Sequence, residues 1–233
     1  MLFDLRGRGR RRTVQVIYLS LALLMGGGLV LFGIGSNTSG GLFDAFKQDS
    51  GSTSADKQVA RQIQRAERAA RLDPRNPRPL AQVVRLRYQA AGLGDGFDQS
   101  TGTFTAKGKA KLRAADRAWQ RYLALAPAHP DDEVAGLMVQ AYSTSGLNQP
   151  AKAVRAQEIV TQERKPTSSN LFAALAQLAY QAGQTRKGDL AAQRAVELAP
   201  KSQRSLTRQQ LEQLKTQAAQ QRGGRGSATA TTG

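Results

Sequence analysis

The side chains that most often perform chemistry in proteins are scarce in this sequence. It has no cysteine and a single histidine, His129, which excludes thiolate nucleophiles, cysteine-ligated metals and any site that needs two imidazoles. His129 lies in Pro-Ala-His-Pro, a segment typical of a turn between helices, and no motif supplies the partner that a catalytic histidine needs. We therefore predict no catalytic residue, no metal site, no cofactor and no enzymatic activity.

Residues 93–108 are rich in glycine and contain two aspartates, so a calcium-binding or phosphate-binding loop is the first hypothesis for this segment. Asp95 and Asp98 lack the alternating carboxylates and the final glutamate of a calcium loop, and the glycines lack the strand and the lysine of a phosphate-binding loop. Phe97 and Phe104 flank a Ser-Thr-Gly turn, which predicts a small hairpin whose aromatic rings lie on the rest of the domain. Two roles stay open for this insertion, a lid and simple decoration.

Charge is the third source of possible chemistry. The chain has 34 Lys and Arg against 17 Asp and Glu, a formal net charge of +17, which first suggests nucleic acid or anionic lipid as a partner. Arg61, Arg65 and Arg68 follow one face of a predicted helix, either as a solvated face or as a contact for anionic headgroups. The Arg-Gly-Gly-Arg-Gly segment near the C-terminus is one short copy of a nucleic-acid-binding pattern, so nucleic acid is the disfavoured partner.

The strongest local pattern is an uncharged apolar segment. Residues 13–35 contain no Asp, Glu, Lys, Arg or His, and a helix of that length spans roughly 34 Å, enough for the hydrocarbon core of a bilayer. Residues 1–12 carry five arginines, so this end is expected in the cytoplasm. A cleaved signal peptide would have a shorter apolar region and an Ala-x-Ala site, so we favour an uncleaved single-pass anchor in the lipid bilayer.

The remaining segments complete the predicted organisation. Residues 36–54 have the composition of a flexible linker, and residues 55–203 are predicted to form a helical repeat domain. Residues 204–221 are predicted to form a capping helix, with Leu206, Leu211, Leu214 and Ala218 on one side. Residues 222–233 have the composition of a disordered tail. The predicted class is all-α, a single transmembrane helix followed by a short α-solenoid.

Repeated helix pairs are visible in the sequence between residues 55 and 203. The clearest copy combines Phe172, Leu175, Ala176 and a turn glycine, Gly183, with a second helix that ends at Pro200. A second copy covers 132–166, and its Gly146 stands 37 residues before Gly183. A third copy is split by the insertion, and half a copy precedes it at 55–74.

This pattern closely resembles the tetratricopeptide repeat, whose period is roughly 34 residues. The resemblance implies about three stacked helix pairs plus flanking helices, which is the minimum for a stable solenoid. Two residues of the last copy depart from the family pattern. The aromatic residue of the first helix, Tyr180, comes one position late, and Gly188 stands where the family usually has alanine.

What the resemblance implies about function is a groove lined by the first helix of each pair, which in this family binds peptides or partner proteins. Carried over by position, the peptide- or partner-binding groove consists of Gln82, Gln89, Gln140, Asn170, Gln177, Tyr180 and Gln181. Amides and a tyrosine can hydrogen-bond a peptide backbone with little preference for its side chains. The Lys, Asn and Arg set with which one subgroup clamps a C-terminal carboxylate is missing.

The sequence thus predicts a membrane-tethered scaffold or chaperone-like adaptor. Its plan resembles that of bacterial bitopic tetratricopeptide proteins, with the N-terminus in the cytoplasm and the repeat domain at the outer face of the cell membrane. The alternative is a permanent structural subunit of an envelope or secretion assembly, and a basic nucleic-acid-binding protein comes third. The identity of the partner and the oligomeric state stay open.

Overall fold

The computed structural model describes residues 52–228 of the chain, with side chains described for residues 54–221. The predicted basic tail, membrane helix and most of the linker (1–12, 13–35 and 36–51) lie outside the described residues, as do residues 229–233. In the described part no helix is both long enough and apolar enough to cross a membrane.

The described chain is mostly helical, as the predicted all-α class requires. Eight α-helices lie between residues 52 and 228: α1 (Ser52–Leu72), α2 (Pro77–Gly92), α3 (Ala106–Ala124), α4 (Asp132–Ala141), α5 (Pro150–Glu163), α6 (Ser169–Gln181), α7 (Thr185–Leu198) and α8 (Arg204–Ala228). Two short strands, β1 (Phe97–Asp98) and β2 (Thr103–Phe104), separate α2 from α3.

Local sequence signals account for where α2, α3 and α4 begin. Asn76 precedes a proline and its side chain accepts the backbone N–H of Arg78, which satisfies one donor at the start of α2. Thr105 caps α3 through the N–H of Gly108, and Asp131 caps α4 through the N–H of Val134 at 2.9 Å. Each cap supplies an acceptor that the first turn of a helix otherwise lacks.

The helices pack as consecutive antiparallel pairs. The most extensive contacts join α2 to α3, α4 to α5, and α6 to α7, and α8 lies against both helices of the last pair. One apolar core runs from α1 to α5 around Trp119, Met138 and Tyr142, all at most 2% exposed. A second core joins α5 to α8 around Leu175 and Ala195. Because each pair has an apolar face that it cannot bury alone, stacking of neighbours stabilises the array.

The insertion forms the predicted hairpin. Phe97 pairs with Phe104 across β1 and β2, and the ring of Phe104 contacts Tyr88 of α2 edge-on at 6.3 Å between ring centres. The N–H of Phe104 also donates to the carbonyl of Ser145, between α4 and α5, at 2.9 Å. The hairpin is therefore tied to two helix pairs.

The two departures from the repeat pattern fit each other. Tyr180 is 2% exposed, and a Cβ atom on Gly188 would lie 2.4 Å from its Cε1 atom. The tyrosine ring thus occupies the space that an alanine methyl group at position 188 would need. Its hydroxyl donates to Asp189 Oδ1 at 2.9 Å, which holds the ring in place between α6 and α7.

Some predicted boundaries differ from the observed ones. Helix α1 begins at Ser52, three residues inside the predicted linker, and α8 continues to Ala228, past the predicted start of the disordered tail at residue 222. Extending an existing helix adds one hydrogen bond per residue without a new nucleation step, so helices run past composition boundaries. Leu211 and Ala218 of α8 are buried as predicted, whereas Leu206 is 54% exposed, because it lies about 140° around the helix from Leu211.

A polar cluster joins three helices at Asp116. Its carboxylate accepts hydrogen bonds from Tyr142 at 2.6 Å, Lys152 at 2.7 Å and Gln120 at 3.1 Å. Burial raises the pKa of Asp116, but these hydrogen bonds, led by that from Lys152, outweigh burial and bring the pKa below the ordinary 3.8. The charged form is therefore favoured by folding.

We expect Asp116→Asn to lower the free energy of unfolding by about 1–2 kcal/mol at pH 7. A carboxyl whose folded pKa is depressed stabilises the fold above its unfolded pKa, and that stability is lost as pH falls through the folded value. The difference between wild type and variant should accordingly shrink below pH 3.8. Urea unfolding at several pH values measures this, with Asp73→Asn, at an exposed aspartate, as control. If wild type and Asp116→Asn differ in stability by the same amount at all pH values, the lowered pKa of Asp116 is contradicted.

Candidate functional site

The predicted groove residues lie on three helices. Two of them, Gln82 and Gln89, are two turns apart on one face of α2; Gln140 lies near the end of α4. The spacing of Asn170, Gln177 and Gln181 places their side chains on one face of α6. Helices α2 and α4 are in contact, and α5 contacts both α4 and α6. No hydrogen bond between described residues joins one of these side chains to another.

The amides among them differ in exposure and share the lack of a hydrogen-bond partner in the described part of the chain. The exposed ones are Gln82, Gln140, Asn170 and Gln181; the half-buried ones are Gln89 and Gln177. Within residues 54–221 none of these six side chains has a hydrogen bond to the protein. An unpaired amide offers two donors and one acceptor oxygen, which suits the N–H and C=O groups of an extended peptide.

Tyr180 does not belong with this exposed set. Its ring is buried between α6 and α7, and its hydroxyl donates to Asp189, which also accepts from Lys215 of α8 at 2.7 Å. Burial, followed by the hydrogen bond to Asp189, raises the pKa of Tyr180 well above 10.0. The side chain therefore packs the last helix pair, and it leaves no surface for a peptide.

The arginine stripe on α1 is exposed as predicted. Arg61, Arg65 and Arg68 point to solvent, while Val59 and Ala66 on the opposite side of the helix are buried. In the described part of the chain none of the three arginines has an acidic partner. Their charges are thus available to an anionic surface.

His129 lies in the loop between α3 and α4, and its side chain is 88% exposed. Its Nδ1 atom is 3.2 Å from Glu163 Oε2, at the end of α5. Among the described residues no three acidic or histidine side chains converge to hold a metal ion. The loop position agrees with the predicted turn.

A basic groove that the sequence pattern did not indicate lies between α1, α2 and α3. It encloses about 310 Å³. Its floor consists of small and branched apolar residues, Ala70, Leu80, Val83, Ala114 and Ala118, and its walls carry Arg71, Arg87, Arg117, Arg121 and Glu67. We call this the arginine groove. The available sequence signals were local: the four-residue spacing of Arg117 and Arg121, and that of Glu67 and Arg71, places each pair on one face of its own helix.

We call the six unpaired amide side chains the amide face: Gln82, Gln89, Gln140, Asn170, Gln177 and Gln181. On α2 the arginine groove and the amide face lie on different sides of the helix. With about 100° per residue, Gln82 and Gln89 lie about 100–180° around the helix from the groove-lining Leu80, Val83 and Arg87. A molecule bound at one side would therefore not cover the other.

Comparison of the chain with protein-family models, curated proteins and solved structures finds no match. The free amides, the exposed arginine stripe and the arginine groove are accordingly the features of the described chain from which a function can be inferred.

Proposed function

We propose that the chain is a membrane-tethered scaffold or adaptor of the tetratricopeptide type, which holds peptide segments or partner proteins at the outer face of the cell membrane, in the manner of a chaperone-like adaptor. The observation that carries the proposal is the set of six unpaired amide side chains on the first helices of three consecutive pairs. Polar groups that a fold leaves without internal partners on neighbouring helices are available to a ligand, and amides match a peptide backbone.

Two further features support a peptide ligand over a small molecule. Consecutive helix pairs contact one another, and the amide-bearing helices recur as the first helix of each pair; stacked helix pairs of this kind present long binding surfaces. The glutamines also have the same donor and acceptor set at each position, so they favour a ligand with a repeating pattern of N–H and C=O groups.

The apolar residues 13–35 supply the tether in this proposal. A domain linked to the bilayer by a short flexible segment samples a small volume, so its effective concentration toward neighbours in the same membrane is in the mM range. Weak contacts through uncharged amides are then sufficient for occupancy. The exposed Arg61, Arg65 and Arg68 would add attraction to anionic headgroups, worth about 1 kcal/mol for each basic residue near the surface.

Site-specific photo-crosslinking in cells tests the proposal. A photoreactive amino acid at Gln82, Gln140 or Gln177 is expected to give discrete protein adducts in the membrane fraction. The matched control is Gln193, an exposed glutamine on α7, the second helix of its pair, where adducts should be at least about fivefold weaker. The fivefold difference corresponds to about 1 kcal/mol of preference for the amide face.

Equal adducts at all four positions, or crosslinks only to a second copy of the chain, would contradict the adaptor proposal. Protease added to intact cells should cleave the repeat domain if it lies outside, and protection of that domain would place it in the cytoplasm. Recovery of one stoichiometric complex in mild detergent would instead favour the alternative, a permanent subunit of an envelope or secretion assembly.

A further inference from the structure

We infer that the arginine groove is a second docking site, and that its ligand is an acidic peptide segment of a partner protein with an apolar side chain between carboxylates. This inference concerns a different surface from the amide face, and it stands if that face proves inactive.

The charge of the groove is not balanced by the protein itself. Arg87 is paired with Glu67 of α1, but Arg71, Arg117 and Arg121 have no acidic partner in the described structure. Other arginines of the same domain do have acidic partners; Arg85, for example, is paired with Asp131 at 2.7 Å. Three unpaired guanidinium groups around one depression create a positive potential that favours an anionic ligand.

The walls of the groove suit carboxylates in particular. Each guanidinium presents donors in a planar fork that matches the two oxygens of a carboxylate. Arg117 and Arg121 are one turn apart on α3, and Arg71 faces them from the end of α1. The pair of Arg87 with Glu67 shows that this environment already holds a carboxylate against a guanidinium.

The floor of the groove distinguishes a peptide from other anions. Leu80, Val83 and Ala118 form it together with two further alanines, and the aliphatic stems of the arginines extend the apolar surface. A nucleic acid would use the arginines through its phosphates and leave this floor without a partner. A flat membrane surface would not reach into the depression. The volume, about 310 Å³, is at the small end of binding pockets and suits one or two side chains.

The inference predicts binding of a fluorescein-labelled peptide of three Glu-Glu-Leu-Glu units to the full-length chain in mild detergent. Fluorescence anisotropy at about 0.15 M salt, where distant charges are screened beyond about 8 Å, measures its Kd. The double variant Arg117→Glu/Arg121→Glu should weaken binding about tenfold, because two favourable pairs become repulsive.

The matched control is Arg155→Glu/Arg208→Glu, which changes the net charge of the chain equally, on exposed arginines outside the groove to which no binding role is assigned. It should change Kd less than about twofold. A peptide with glutamine in place of each leucine tests the floor without altering the protein, and it should bind at least about fivefold more weakly.

Three outcomes would overturn the inference. Equal losses in the two double variants would show general attraction to a basic chain. Equal binding of the leucine and glutamine peptides would show that the floor is unused. A single-stranded oligonucleotide of similar charge is the third test. If it binds more tightly than the leucine peptide, and if Arg117→Glu/Arg121→Glu abolishes that binding, the groove is a phosphate site. Unchanged tryptophan fluorescence of each variant verifies that the fold is intact.

Discussion

Replacing Gly108 by alanine is expected to destabilise the described domain by about 3 kcal/mol, although the same change inside a helix usually stabilises it. Gly108 lies in the first turn of α3, and a Cβ atom there would be 1.9 Å from the carbonyl oxygen of Gly96 and 3.0 Å from that of Ala91. Both obstacles are backbone atoms, which cannot rotate away as a side chain does. The methyl group must therefore separate α3 from the end of α2 and from the turn at Gly96 that follows it.

The loss should appear as a fall of roughly 6–12 °C in the melting temperature. Trp119, the single tryptophan of the chain, lies buried in α3 and reports on this helix pair directly. Thermal and urea unfolding followed by its fluorescence measure the effect. A stability equal to that of wild type would show that the close approach of the two backbones is not maintained in solution.

Gly136→Ala is the matched control for Gly108→Ala. Gly136 also lies within a helix, α4, but a Cβ atom there would meet only the Nη2 atom of Arg164, at an ordinary 3.7 Å. We expect a gain of about 0.5–1 kcal/mol, the usual difference between the two residues in a helix. If Gly108→Ala lowers the free energy of unfolding and Gly136→Ala raises it, backbone packing and not helix propensity determines the effect of Gly108→Ala.

Replacing Gly188 by alanine is expected to cost about 2 kcal/mol, because the methyl group would overlap the buried ring of Tyr180. The distances are 2.4 Å to Cε1 and 2.5 Å to Cδ1. The ring has little freedom to move, since its hydroxyl is bonded to Asp189 and that carboxylate is paired with Lys215 of α8. The substitution should therefore loosen the contact of α8 with the last helix pair.

A double-mutant cycle isolates this interaction. Tyr180→Leu removes the ring, so adding Gly188→Ala to it should cost at least about 1 kcal/mol less than Gly188→Ala alone. Tyr180→Phe keeps the ring, and in that background Gly188→Ala should remain costly. Urea unfolding followed by far-ultraviolet circular dichroism gives the free energies of unfolding of the wild type, the three single variants and the two double variants. Strict additivity of Tyr180→Leu and Gly188→Ala would contradict the proposed exchange of volume between the two positions.

Much of the local structure could be predicted from the sequence. Glycine turns and prolines located the helix pairs, the apolar spacing on α1 separated Val59 and Ala66 from the exposed Arg61 and Arg65, and the paired phenylalanines indicated the hairpin. These signals depend on helix and strand periods within a few residues. Helix ends were less accurate, as α1 and α8 show, because extending a helix has a small energetic cost that composition does not reveal.

The sequence predicted the exposure of individual amide residues correctly, but it placed one buried residue among them. Gln82, Gln140 and Asn170 are exposed as the position in each pair suggested, whereas Tyr180, which the same reasoning placed with them, is buried. A tyrosine one position late in a helix is turned about 100° from the expected direction. Whether that rotation leads to solvent or to a neighbouring helix depends on what the neighbour has at that point, here the glycine at position 188.

The sequence by itself determined that residues 55–203 form paired helices, because each helix is specified by contacts three and four residues apart and each turn by its glycine or proline. The tertiary structure alone decided that Arg71, Arg87 and Arg117 meet around one apolar floor. They belong to three different helices, and no periodic pattern relates residues that packing brings together. The same holds for Tyr180 and Gly188, whose fit depends on the distance between α6 and α7.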